Sequence, residues 1–294
     1  YNIYLKGVNE SAYTLVDEKI AYVQKLPSGK MRADLMGLKA GDYHVKIVPV
    51  YNSSESSSKA SICKLGVVAY DRSGYAHFKY TEGVGAYNDD GTLKENAIVI
   101  YVTNANKDSI MADIAELQPY MFTIPSKFDS AIPGTDWSGH QASGIGWWLN
   151  NAQYTRATKN KNGTLKLTET SNTYSPTGQN LGLYSVVETH PVVFRFVGTI
   201  TTPEGCTGYD SYTEGGSSGD NGHMARMKNL KNITLEGVGF DAIIDGWGFH
   251  FMCSDTTGQR GKNFEVRNLT FVNNAEDALG MEGEQDSANV SANI

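Results

Sequence analysis

The stretch that decides the fold runs from Asn229 to Gly283 and reads NLKNITLEGVGFDAIIDGWGFHFMCSDTTGQRGKNFEVRNLTFVNNAEDALGMEG. Its apolar runs, ITLEGV, AII, FEV and LTFV, are each closed by Gly, Asn or Asp. None has the length of an ordinary helix, so they predict strands. Asn-led starts return at Asn232, Asn263 and Asn289, spaced by 31 and then 26 residues, the loose period of a solenoid with loops of varying length. If the chain winds as a parallel β-helix, the strands at 233 and 264 lie parallel. Ile233, Leu235, Phe264, Val266, Leu269 and Phe271 then stack inside, and the asparagines ladder at the bends. An antiparallel β-sandwich shares the short strands and turn signals, and periodicity alone does not separate the two.

Composition sets the wider limits. The chain has 294 residues, 40% of them hydrophobic, enough for one large or two modest domains. No apolar run reaches the roughly 20 residues of a membrane-spanning helix, so no membrane span is expected. The start at Tyr1 carries neither Met nor a charged-then-apolar leader, so the sequence is expected to begin internally or after processing. A net charge of −7 with scattered Lys and Arg argues against a nucleic-acid partner, which needs a basic face. Cys63, Cys206 and Cys253 are too few and too far apart for a disulfide framework or a clustered zinc site, and read as structural thiols.

Residues 1–69 form a unit of alternating strands. The polar run Asn52–Lys59 predicts a mobile loop tip between two of them. From Tyr70 the texture shifts to Tyr, Gly and Asp, with one strong strand at Ala97–Thr103. Asn88–Gly91, NDDG, is a tight-turn signal that lacks the ligand spacing of a calcium loop. Asp108 is placed to cap a short helix over Ser109–Leu117. In GIGWWLNNAQ the adjacent Trp147 and Trp148 offer a sugar-stacking ring, but at least one is expected to be buried. The stretches 155–180 and 202–222 read as long loops.

Two resemblances give these units a family. NITLEGVGFDAIIDGWGFHF and FEVRNLTFVNNAEDALGMEG resemble, in order and spacing, the opening coils of the pectate lyase family, and PVVFRFVGTI at Pro191–Ile200 resembles the segment leading into its first coil. MRADLMGLKAGDYHVKIVPVYNSSES, with Gly37, Leu38, Gly41 and Tyr43 in its turn, resembles a fibronectin type III module lacking its first two strands. Together they imply an all-β chain. A partial fibronectin-like β-sandwich at 1–69 precedes, at 70–294, the first coils of a right-handed parallel β-helix with its cap and long loops.

The pectate lyase resemblance implies calcium-assisted β-elimination on an acidic polysaccharide, pectate or polygalacturonate, by a secreted or cell-surface protein. A base takes the C5 proton of a uronate whose carboxylate is neutralised by the ion. An acidic protein on an acidic polymer also needs local positive charge or a bridging cation, which makes Ca2+ physically apt. Asp277 aligns with the family's metal-bearing Asp, and Glu276, standing where the family commonly has Trp, is the second metal candidate. Glu282, Glu284 and Asp286 read more simply as a solvated acidic turn. Arg195, Arg226, Arg260 and Arg267 do not match the context of the family's catalytic arginine, so no base is assigned; it is expected on later coils beyond Ile294, and the sequence as given is expected to lack lyase activity by itself. A non-catalytic carbohydrate-binding or surface protein is the alternative. A polygalacturonase-type hydrolase is disfavoured because its Asp-Asp and Gly-His-Gly signatures are missing from the solenoid region.

Overall fold

The computed structural model describes residues 1–70, 83–124, 140–150, 156–159, 165–168, 179–180, 182–206, 224–228, 230–253, 261–274 and 277–283. The chain is mainly strand and divides into two compact units, Tyr1–Glu95 and Asn96–Ile294. No described helix is long and apolar enough to cross a membrane.

In the first unit the strands are β1 (Asn2–Gly7), β2 (Thr14–Leu15), β3 (Ala21–Lys25), β4 (Met31–Leu35), β5 (Gly41–Val48), β6 (Val50–Tyr51), β7 (Ser54–Glu55) and β8 (Ser61–Val67). Four of them form an antiparallel sheet in the order β2-β1-β5-β8, and β3 pairs with β4. The period-2 alternation of β1 and β5 puts Ile3 and Val45 in the core. At the turn between β4 and β5 the Tyr43 hydroxyl donates to the Lys39 carbonyl at 2.8 Å and locks the corner. Asn88–Gly91 is a turn: the Gly91 amide donates to the Asn88 carbonyl, and Asp90 accepts from the backbone and hydroxyl of Thr92. The run Asn52–Lys59, expected as a loop tip between two strands, holds a short hairpin of its own. Asn52 and Ser53, both at positive φ, make a two-residue hairpin turn between β6 and β7, and a 3-10 turn follows at Ser57–Lys59.

The second unit contains β9 (Ile98–Thr103), β10 (Arg156–Lys159), β11 (Leu165–Thr168), β12 (Gln179–Asn180), β13 (Val192–Val197), β14 (Thr199–Thr201), β15 (Met224–Lys228), β16 (Lys231–Gly237), β17 (Ile243–Asp245), β18 (Gly248–Cys253), β19 (Lys262–Arg267), β20 (Thr270–Val272) and β21 (Leu279–Gly283). Strands β10 to β12 make a small antiparallel sheet. The others form three parallel sheets, ordered β9-β13-β16-β19, β14-β17-β20 and β15-β18-β21. From Val192 onward the chain visits these sheets in the same order in three successive circuits.

That winding brings like residues over like. Ile100, Phe194, Leu235 and Val266 share one register row, and Ile98, Val192, Ile233 and Phe264 the next. Ile200, Ile244 and Phe271 line up on the short sheet. All belong to one apolar cluster, which also contains Leu269. The strands at 233 and 264 are parallel, as expected. The Asn232 and Asn263 backbones are left-handed, and Asn263 Nδ2 donates to Asn232 Oδ1 at 2.7 Å, so this bend repeats one circuit on. Asn289 lies outside the described residues.

The expected helix at Ser109–Leu117 is instead two 3-10 helices, Ile110–Asp113 and Ala115–Tyr120, the second containing Pro119. Asp108 does not cap either of them. Its carboxylate is taken by Lys107 and by the Glu204 amide at 2.7 Å, contacts that compete directly with a cap.

Candidate functional site

The short sheet β14-β17-β20 presents a polar face on the second unit. Its inward residues Ile200 and Ile244 are fully buried, so the alternate positions Thr199, Thr201, Asp245 and Thr270 point away from the core. Side-chain bonds between successive circuits line the turn that follows. Asn104 accepts from the Thr201 amide and hydroxyl at 3.0 and 2.8 Å, and the Thr202 hydroxyl donates to the Gly246 carbonyl. Asn273 Nδ2 donates to Asp245 Oδ1 at 2.8 Å, and Asn274 Nδ2 to the Trp247 carbonyl. Each bond satisfies a polar group at the bend where the strand ladder stops.

Asp277 is exposed and lies just before β21. Its carbonyl and that of Ala278 lie against Gly248, leaving no room for a side chain there. Among the described residues no three His, Cys, Asp or Glu side chains converge as a metal site. Glu276, Glu284 and Asp286 lie outside the described residues, as does the side chain of Glu282.

No protein-family model, curated protein or solved structure matches the chain.

A second polar cluster gathers beside Asp108, and sequence reasoning missed it because Lys107, Asp108, His140 and Glu204 come from separate segments. Glu204 is pushed up from the usual carboxylate range, first by burial and then by the Asp108 charge, against the opposing pull of Lys107 and His140. The folded protein therefore holds this proton more tightly than the unfolded chain does. The resulting stabilisation is complete below the ordinary carboxylate range and is lost as pH rises through the raised value. Glu204→Gln should remove this component, so that the parent melts increasingly below the variant as pH goes from 4 to 7, on the order of the carboxylate titration range. Thermal melts across that range check it, and a pH-independent gap between the two would show Glu204 to behave as a solvated acid.

The sheet β9-β13-β16-β19 carries charge where the sequence suggested only strand. Tyr101, Arg195, Glu236 and Arg267 occupy one register row across its four strands. Arg195 Nε donates to Glu236 Oε1 at 2.7 Å and its Nη1 to the Tyr101 hydroxyl at 2.7 Å. Arg267 Nε and Nη2 both donate to Glu236 Oε2, at 2.8 and 2.6 Å. Glu265, also buried, lies 3.7 Å from Arg267 Nη1. Arg195 is 0% exposed, so it is held inside the protein and cannot meet a polymer.

Both candidate tryptophans are buried, Trp147 and Trp148, on the short helix α1 (Ile145–Asn150). Trp148 Nε1 donates to the Ala142 carbonyl at 2.5 Å and its ring packs near Phe122. The argument that neighbouring strand residues face opposite sides fails here because the segment is helical, and neither ring is a sugar platform. Cys206 is buried and Cys63 exposed.

Proposed function

We propose that the second unit is the opening part of a right-handed parallel β-helix of pectate lyase type, acting on an acidic uronate polysaccharide outside the cell with calcium as the bridging ion. The observation that carries this reading is the fixed-order winding through three parallel sheets with an asparagine ladder between circuits. We assign the ion to the exposed Asp277, just before β21, and the path of the polymer to the polar edge of Asn104, Thr201, Asp245 and Asn273. Bound calcium would neutralise a substrate carboxylate and so acidify the neighbouring C5 proton. The chain's own part is to present Asp277, with Glu276 as the second candidate, and to orient the polymer along the short sheet. We read the first unit as a partial fibronectin type III-like sandwich, supported by its β2-β1-β5-β8 sheet and the Tyr43 to Lys39 corner bond.

The alternative is a non-catalytic carbohydrate-binding or surface protein. Arg195 and Arg267 are both committed to Glu236, which leaves neither placed to act as a base, and both readings accommodate this. A calcium-dependent rise of ultraviolet-absorbing unsaturated product from polygalacturonate separates lyase from binder in a protein that carries the coils expected beyond Ile294.

The metal assignment has its own test. Asp277→Asn keeps the shape and loses one negative ligand, so calcium affinity should fall about tenfold, with added calcium restoring polymer binding. Asp277→Ala should lose more. Calorimetric titration with calcium measures both, and an Asp277→Asn protein that binds calcium as the parent does would make Asp277 a turn residue only.

A further inference from the structure

The net charge of −7 is unevenly divided between the units. Residues 1–95 carry 12 Lys and Arg against 11 Asp and Glu, a net of +1, and residues 96–294 carry 13 against 21, a net of −8. In the first unit, part of this positive charge is collected on one sheet face. The register pairs Tyr4 with Lys46 and Lys46 with Ile62, and two residues along the strands it pairs Lys6 with His44 and His44 with Lys64. These positions alternate with Ile3, Leu5 and Val45 on the opposite, core-facing side.

Aromatic rings are interleaved with the ammonium groups. Lys46 Nζ stands 4.6 Å from the Tyr4 ring centre and 5.1 Å from that of Tyr13, which Lys6 approaches to 5.2 Å from another side. Such contacts hold long side chains in place and reduce the order that a ligand must impose. Three acids border the face, among them Asp42, two residues along the strand from His44 and beside Gly66. Glu55 accepts from Asn2 and the Tyr4 hydroxyl at 2.6 and 2.5 Å, which holds its carboxyl below the usual range and fixes the Tyr4 ring. Glu10 turns one oxygen to the Gly7 amide. Lys64 and Ile62 are exposed on the outermost strand of the sheet, Ile62 at 60%.

We propose that this face, built on Tyr4, Lys6, Tyr13, His44, Lys46 and Lys64, docks a linear carboxylate polysaccharide independently of calcium. The inference rests on the acidic-polysaccharide reading for its ligand and on this surface alone for its site. Ammonium groups pair with uronate carboxylates, while tyrosine rings and the Ile62 side chain meet the CH faces of the sugars. The first unit thereby supplies the local positive charge that the acidic second unit lacks.

Full-length chain run through gels containing polygalacturonate, with chelator present, tests the proposal. The parent should be retarded, less so as salt rises, and not retarded by neutral dextran. The Lys6→Gln/Lys46→Gln double variant, its fold checked by circular dichroism, should bind roughly tenfold more weakly. Asp277→Asn should be unchanged in chelator. If the double variant does not fold, Lys64→Gln at the exposed edge should still weaken retention severalfold, on the order of one surface charge pair. Retention of the double variant equal to the parent's, equal retention by dextran, or tighter retention by DNA than by polygalacturonate would overturn the proposal. Retention seen only with calcium and lost in Asp277→Asn would overturn this surface and leave the second unit's reading standing. A chain not retained with or without calcium would sink both.

Discussion

Glu236→Ala is expected to cost the second unit about 3–5 kcal/mol, the usual result of removing one partner from a buried ion pair. Glu236 bridges Arg195 on one neighbouring strand and Arg267 on the other, and its side chain is only 4% exposed. Without it, two guanidinium groups face one another across the vacated position, Arg195 with no access to water. Against a typical total stability of about 5–15 kcal/mol, the loss is large enough to populate unfolded chain at 37 °C. Glu236→Gln keeps the volume and one acceptor and should cost less, and Arg195→Met/Glu236→Leu should recover part of the loss because the desolvated charges disappear together. Urea unfolding followed by tryptophan fluorescence reads this unit, since Trp137, Trp147, Trp148 and Trp247 all belong to it. An alanine variant within 1 kcal/mol of the parent, far below the roughly 3 expected, would show the ladder to be solvated.

Gly237→Ala is expected to be similarly damaging for a different reason. Gly237 lies at the end of β16, and an added Cβ would run into the Asn268 carbonyl of the next circuit and stand 2.6 Å from Ala242 Cβ. Neither obstacle is the far end of a flexible side chain. Asn268 is itself tied down, donating to the Gly237 and Gly239 carbonyls at 2.8 and 2.6 Å. The two circuits must therefore separate, at about 3 kcal/mol or more. Gly198→Ala is the matched control: its φ is +68 but nothing lies within 4 Å of the new Cβ, so only backbone strain of about 1 kcal/mol should appear. Equal losses in the two variants would mean that circuit spacing is not limiting.

The sequence made part of this legible because apolar alternation is a local property. Ile233, Leu235, Phe264 and Val266 could be assigned to one interior face since strand residues alternate, and the Asn232 to Asn263 spacing gave the circuit length. The Arg195–Glu236–Arg267 row was not legible. Each residue looks like an ordinary outward charge on its own strand, and only register across β13, β16 and β19 makes them one buried unit. Trp147 and Trp148 were read with strand geometry, while they lie on the helix Ile145–Asn150, whose start packs closely on Asp108 through Gly144 and on Glu204 through Gly146. Of the candidate site, Asp277 rests on alignment with a motif, whereas Asp245 carries no motif of its own in the sequence. Its bond to Asn273 depends on the stacking of circuits. The basic face of the first unit escaped for the same reason: Lys6, Lys46 and Lys64 are far apart in sequence and meet only through antiparallel register.

In-register stacking also sets an order of amide exchange with deuterium. Strands β13 and β16 each have a hydrogen-bonded neighbour on both sides, whereas β19 is last in its sheet among the described residues. Each circuit is bonded mainly to the one before and the one after, so opening should pass from circuit to circuit as a fraying column rather than all at once. Amides of Phe194 and Leu235, on strands paired along both edges, should then be slow to exchange, giving the second unit a gradient of persistence along its axis.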